Sequence, residues 1–255
     1  MDLCERSKHF RVRHPWEMAR LKALESIIRR IPPSQADLRV LDVGCGDGFI
    51  IQELSKKNCF KNITGIDIHI PAQEAATISN AKNNITCFND FAYLKEEYYN
   101  LTLLLDVIEH VEDDKVFLSN IVTRYVAPAG YMIITAPAFQ FLFSSHDRFL
   151  KHYRRYTRKE LLKIIETANL KLLRSGYFFM SLFPVRLFLS GYERLVSWKR
   201  VFNNPGIGAW NHGRVVTKSI ELILRGDNSL SNALNQLGMK IPGLSVWALC
   251  KKQPS

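Results

Sequence analysis

Three aspartates and one glycine-rich turn carry the first chemical signal in this 255-residue chain. The stretch "VLDVGCGDG" places Asp42 just before Gly44, Gly46 and Gly48. Glycines at that spacing let the backbone turn tightly and let a ligand approach it closely. The pattern is G-x-G-x-G, not the G-x-G-x-x-G of dinucleotide-binding loops. A carboxylate at Asp42 repels a pyrophosphate and attracts an ammonium or a sulfonium. Asp67, in "GIDI", suits ribose hydroxyls. Asp90, in "NDF", can take an adenine amino group, with Phe91 against the ring. Together they describe a ligand with a positive end, a ribose and an adenine, and no pyrophosphate. The plain alternative is a tight strand-to-helix turn.

The elements that must position these residues follow from apolar periodicity. Trp16–Ile31 has helical spacing and ends at Pro32-Pro33. Short apolar runs at Arg39–Val43, Ile63–Asp67, Ile85–Phe88, Leu101–Asp106 and Tyr131–Ala136 read as strands. Helical patterns separate them at Phe49–Lys57, Pro71–Ala81, Phe91–Tyr98 and Asp113–Tyr125. Strand–helix alternation predicts an α/β fold with a doubly wound, mostly parallel sheet. Thr157 and Glu160 form a capping box for a further helix, and "KLLRSGYFF" and "GLSVWALCKK" are two late strands. Ligands of such sheets bind beyond the carboxyl ends of the strands, where the glycine turn lies.

"VLDVGCGDG", "GIDI", "LLLDVIEHV" and "GYMIITAPA" resemble, in order, the motifs of class I S-adenosylmethionine-dependent methyltransferases. The resemblance runs from about Arg39 to Pro137. It implies a Rossmann-like, seven-stranded sheet whose last strand is antiparallel. It also implies S-adenosyl-L-methionine as cofactor and S-adenosyl-L-homocysteine as product. By the family pattern Asp42, Gly44 and Gly46 flank the methionine part, and Asp67 with Ile68 takes the ribose. Asp90 and Phe91 border the adenine, while Asp106, Val107 and Ile108 line the pocket beside the sulfonium. "SSHDRFLKHYRRYTRKEL" and "YFFMSLFPVRLF" further resemble a bacterial branch of these enzymes, which brings no substrate with it.

Residues for the acceptor side follow from that frame. Methyl transfer needs alignment, and a base where the acceptor carries a proton. His110 in "DVIEHV" and His146 in "SSHDRF" are the candidate catalytic bases, with His146 slightly favoured. Glu109, Asp147, His152, Arg154, Arg155 and Tyr156 are candidate substrate contacts. The two arginines precede a helix N-terminus, where their charge is unfavourable, and so suit an acceptor anion. Candidate bases make O-methylation the default expectation. Five scattered cysteines with no CxxC spacing argue against a zinc site, and no metal is expected.

The net charge of +11 is concentrated. Between Arg148 and Lys218 stand 15 basic and 3 acidic residues. In the same region Leu182–Arg200 reads as a helix with a narrow polar stripe (Arg186, Ser190, Glu193, Arg194, Ser197, Arg200) and a wide apolar arc. That suits either a membrane interface or a substrate lid. The expected organisation is an N-terminal helical cover at 1–34, a core at 35–180 and 241–255, and a helical, basic and apolar insertion at 181–240. A small or lipid-linked acceptor is favoured, with an anionic membrane surface touching 181–205. The N/D-P-P-Y/F loop of nucleobase N-methylation is missing, which makes nucleic acid the weaker partner. RNA or protein methylation, and a catalytically idle cofactor-binding subunit, are the alternatives. A charged N-terminus and the cysteine usage fit a reducing cytoplasm, with peripheral attachment to the inner face of the membrane.

Overall fold

A computed structural model describes residues 13–31, 38–57, 60–94, 98–195, 210 and 212–254. Seven strands form one sheet: β1 (Leu38–Val43), β2 (Phe60–Ile66), β3 (Ile85–Phe88), β4 (Tyr99–Leu105), β5 (Val126–Pro137), β6 (Leu170–Phe178) and β7 (Ser245–Lys252). Their order is β3-β2-β1-β4-β5-β7-β6. Strands β1 to β5 are mutually parallel, and β7 runs antiparallel to both β5 and β6. The expected doubly wound sheet with one antiparallel strand is the observed fold.

The order reverses between β1 and β4, which are direct neighbours with Asp42 opposite Leu103. Chains leaving these two strands diverge, so a crevice opens at their carboxyl ends. Residue alternation along each strand builds two cores. Val40, Leu101, Leu103, Ile133 and Leu249 face one side. Covering that side are α1 (Pro15–Ile28), α2 (Phe49–Ser55), α3 (Ala72–Ile78) and α8 (Arg214–Gln236). Leu41, Leu104, Ile134 and Ala248 face the other, under α4 (Asp114–Tyr125) and α6 (Arg158–Thr167). Two further helices are α5 (Ser145–Phe149) and α7 (Leu182–Leu195); α7 and α8 both lie between β6 and β7.

Local chemistry explains where elements begin. His14 Nδ1 accepts from the Trp16 amide and caps α1, with Pro15 as its first residue. Thr157 and Glu160 form the expected reciprocal box at α6. One expectation is too long: from Phe91 only the single 3-10 turn Phe91–Tyr93 forms. Asp90 caps it through the Ala92 amide, and Leu94 is already extended. Pro32-Pro33 and residues 95–97 lie outside the described residues.

Gly243 leads into β7, and a Cβ there would meet Phe178 O at 2.1 Å. That close approach lies beside the Phe178–Ser245 end of the antiparallel β6–β7 pairing. Gly243→Ala is expected to cost about 1–3 kcal/mol of stability through backbone displacement. Urea denaturation measures it, and an unchanged midpoint would refute the steric argument.

Candidate active site

The glycine turn is built by hydrogen bonds from its own amides. Gly44 N and Cys45 N both donate to Ile66 O, at 2.7 and 3.1 Å, tying the turn to the end of β2. Gly46 N donates to Asp67 Oδ2 and His69 N to Asp67 Oδ1, each at 2.9 Å. Asp67 is thereby held rigidly at the mouth of the crevice. Gly44 has φ +77, and a Cβ on it would fall 2.4 Å from Val107 Cγ2. Glycine is required there twice over, by backbone conformation and by the approach of the post-β4 segment.

Asp42 is 1 % exposed, and its Oδ1 has no hydrogen-bond partner among the described residues. Burial pushes its carboxyl up to about 7, and the neighbouring Asp67 adds to the rise. An orphaned buried acid under a glycine turn is a group waiting for a cationic partner. Ile68 and Asp90 are exposed at the rim, and the half-buried Phe91 ring lies 6.0 Å from Tyr125. Ile108 departs from expectation. Its side chain is wholly buried in the core beneath α4, so only its backbone can border a pocket.

Asp106 ends β4 with φ +54, a left-handed conformation that aspartate tolerates and that recurs at functional sites. Thr135 Oγ1 donates to Asp106 Oδ1 at 2.8 Å. Arg20 Nη1 stands 2.5 Å from Asp106 Oδ2, and Arg20 Nη2 donates to Thr135 Oγ1 at 2.6 Å. Sequence reasoning missed Arg20. A signal was present: it stands four residues after Trp16 and four before Leu24, inside the apolar stripe of α1. Its guanidinium also lies over the Trp16 ring, 5.2 Å from the centroid.

Beyond Asp106 the chain gathers Glu109, His110 and His152. The two imidazoles meet edge to face with centroids 4.6 Å apart. Glu109 is fully buried, and neither carboxylate oxygen has a hydrogen-bond partner among the described residues. Burial holds its carboxyl well above the ordinary value, and the charge of Asp106 reinforces this. His146 lies half-buried in α5, outside this cluster.

Asp147, Arg155 and Tyr156 are support rather than contact surface. Asp147 is wholly buried. It receives Arg155 Nε at 2.7 Å and Arg155 Nη2 at 3.0 Å, and Ser144 N and Oγ at 2.9 and 3.0 Å. His152 Nδ1 completes its shell at 2.9 Å. Burial alone would raise this carboxyl, but the bonds from His152 and Arg155 outweigh it and hold it below the usual carboxylate range. Arg154 pairs with Asp114 at 3.1 Å. Tyr156 hydroxyl, also buried, lies 2.8 Å from the same carboxylate. The arginines expected to stand uncompensated before a helix N-terminus each have an internal acid. That removes the electrostatic reason for reading them as an anion clamp.

Of the polar stripe of α7, the described residues Arg186 and Ser190 turn inward. Ser190 is buried, and Arg186 Nη2 donates to Ser144 Oγ at 2.5 Å. Val185, Leu187, Phe188, Leu189 and Tyr192 are exposed, Phe188 at 76 %. Side chains 193–200 lie outside the described residues. No helix among the described residues is long and apolar enough to cross a membrane.

A family model described as "Methyltransferase domain" matches residues 16–175, more than half of the chain. The chain belongs to this family. It is an S-adenosylmethionine-dependent methyltransferase domain, as the motifs implied. Among similar proteins is the ubiquinone biosynthesis O-methyltransferase of Rickettsia typhi, 34% identical over 119 residues, 44% of this chain and 47% of that protein. The namesake protein of Rickettsia canadensis is 37% identical over 120 residues, 44% of this chain and 49% of that one. The methyltransferase thus spans about half the length of the relatives it matches. Its fold is shared with an S-adenosylmethionine-dependent methyltransferase from Mesorhizobium loti (TM-score 0.53, 13% identity, 90% of this chain and 97% of that chain). It is shared equally with the cyclase SpnF (TM-score 0.53, 14% identity, 92% and 81%).

The cofactor test lies in the donor set: a buried orphan acid, a rigid acid at the second strand end, and one guanidinium. These suit an ammonium, a ribose and a carboxylate. The raised Asp42 value has a measurable cost. A folded-state value above the unfolded one means the stabilising contribution is complete below roughly pH 4. It is lost as pH rises through about 7. Without added cofactor, Asp42→Asn is therefore expected to melt higher than the parent at about pH 8, with the gap narrowing toward about pH 5. Scanning calorimetry at both values decides it, and a gap independent of pH would contradict the burial argument.

Proposed function

We propose that the methyltransferase moves a methyl group to an oxygen of a small or lipid-linked acceptor that enters beside Glu109, His110 and His152. The observation that carries this reading is the gathering of these three titratable side chains just past Asp106, at the end of the strand that borders the cofactor crevice. Bound S-adenosylmethionine supplies an electrophilic methyl on a sulfonium. On the cofactor side, Asp42 faces the ammonium end and Asp67 takes the ribose hydroxyls. Phe91 and Ile68 cover the adenine, and Asp90 reaches its amino group. Arg20 neutralises Asp106 and offers its remaining donors to the carboxylate. On the acceptor side, ionising a hydroxyl belongs to the Glu109 cluster, and His146 is left out of this role. The Rickettsia relatives are O-methyltransferases of ubiquinone biosynthesis, which supports an oxygen acceptor on a small molecule.

Calorimetry with S-adenosylhomocysteine tests the cofactor residues. Asp67→Ala is expected to weaken binding by about 1.5–3 kcal/mol, the value of hydrogen bonds to a charged group. Arg20→Ala should weaken S-adenosylhomocysteine but leave adenosine unchanged, because adenosine has no carboxylate. Unchanged affinity in Asp67→Ala would remove the ribose assignment. Labelled cofactor offered to lipid, small-molecule, nucleic-acid and protein fractions tests the acceptor. Label confined to nucleic acid or protein would overturn the proposal.

The outward apolar face of α7 supports a second element, contact with an anionic membrane surface. The excess of basic residues between Arg148 and Lys218 supplies matching charge. Phe188→Glu is expected to reduce flotation with phosphatidylglycerol vesicles strongly while leaving S-adenosylhomocysteine binding intact. Absence of flotation by the parent chain would end this reading.

A further inference from the structure

We infer that Glu109, His110 and His152 form a binding site for a divalent cation of the first transition row. Their ligand-capable atoms (one carboxylate oxygen and two imidazole nitrogens) all lie within 4.8 Å of one another. Around a tetrahedral zinc ion such atoms stand about 3.3 Å apart, so small side-chain rotations close the set.

The independent observation is Glu109 itself. It is 0 % exposed, and both oxygens lack a hydrogen-bond partner among the described residues. Protonating it would not cure the defect, since an acid proton also needs an acceptor. A cation would give a carboxylate oxygen its missing partner and, together with the nearby Arg20 and Arg155, offset the repulsion from Asp106. A native fold rarely leaves a carboxyl so placed without a partner.

His152 carries the outer support that metal-binding histidines usually have. Its Nδ1 lies 2.9 Å from Asp147 Oδ1. The carboxylate can only accept, so Nδ1 donates to it and Nε2 is the nitrogen left to face the cluster, free to ligate when the ring is neutral. Asp147 is in turn gripped by Arg155 and Ser144, which fixes the ring. His152 and Glu109 are also tied through the backbone, because Tyr153 N donates to Glu109 O at 2.8 Å.

Two imidazoles and one carboxylate favour a borderline ion such as Zn(II), Fe(II) or Ni(II) over Mg(II), which prefers oxygen. Three protein ligands leave coordination positions for water or an acceptor oxygen. On the proposed O-methylation reading, a hydroxyl bound there would lose its proton to water more readily, as hydroxyls on such ions do. The cation site stands without that reading; only its use depends on it.

The test takes the full chain, stripped with a chelator and dialysed against Zn(II), with bound metal read by elemental analysis. The parent is expected to take up about one ion per chain. Glu109→Gln and His152→Ala should each weaken uptake about tenfold or more, the range of lost ligand support. His212→Ala, at an exposed histidine outside the cluster, should match the parent. S-adenosylhomocysteine binding, measured in parallel, should persist in Glu109→Gln, which shows that the variant is folded. No stoichiometric uptake by the parent, uptake indifferent to both variants, or tighter binding of Mg(II) than Zn(II) would overturn the inference. Failure of the parent to bind S-adenosylhomocysteine would instead strike the cofactor assignment and leave the zinc result standing.

Discussion

One buried carboxylate, Asp147, organises the side of this molecule proposed to receive the acceptor. Burying a lone charge there would cost several kcal/mol. Arg155 meets it with two parallel hydrogen bonds, Ser144 with an amide and a hydroxyl, and His152 with a ring nitrogen. Each of those partners is thereby fixed in turn. Ser144 accepts from Arg186 and so couples α7 to the same knot. His152 is aimed at Glu109 and His110. A loop of roughly a dozen residues, which would otherwise be the most mobile part of the crevice, gains the rigidity that catalytic geometry requires.

The cofactor side follows the opposite rule. There the acids are left unsatisfied or strained. Asp42 is buried with an orphan oxygen, and Asp106 is held in a left-handed conformation. Arg20 is the counterweight. It reaches from α1 into the crevice and touches Asp106 and Thr135. Arg13, seven residues earlier and just ahead of α1, pairs with Asp47 of the glycine turn at 2.5 Å. The segment from Arg13 through α1 therefore sets two cations against two acidic loops. Stability given up at Asp42 is consistent with a site shaped for a charged ligand rather than for the empty fold.

Legibility in the sequence followed the range of the forces involved. Short-range signals read well: apolar runs marked the strands, Thr157 with Glu160 marked the start of α6, and the glycine spacing marked the turn. The antiparallel β7 came from family resemblance, since nothing in its own residues sets its direction. Long-range pairing was invisible. Arg155 was read as available for an anion because its partner, eight residues back, is brought to it only by the short helix α5. Arg20 was overlooked because Asp106 lies across the sheet. The helix expected at Phe91–Tyr98 failed for a local reason, as the Asp90 cap supports one 3-10 turn and no more. On the described part of α7 the sequence separated Arg186 and Ser190 from the exposed apolar residues. It could not say that these two would face inward, because Ser144 is the group that Arg186 meets there.

The sheet alone does not decide the chemistry. The cyclase SpnF superposes as well as a methyltransferase from Mesorhizobium loti, at identities too low to carry more than fold. What distinguishes this chain lies in a few residues after β4. Asp106, Glu109 and His110 fall within five positions, so one strand end presents both the acid proposed to border the cofactor and the cluster proposed to meet the acceptor. The 3-10 turn Ile108–His110 makes this possible by reversing the chain within one turn. Asp106 then stays beside the crevice while Glu109 is driven into the interior. A buried carboxyl without a hydrogen-bond partner among the described residues invites completion by a group from outside. The proposed cation site joins that imbalance to the clustering of Glu109 with His110 and His152.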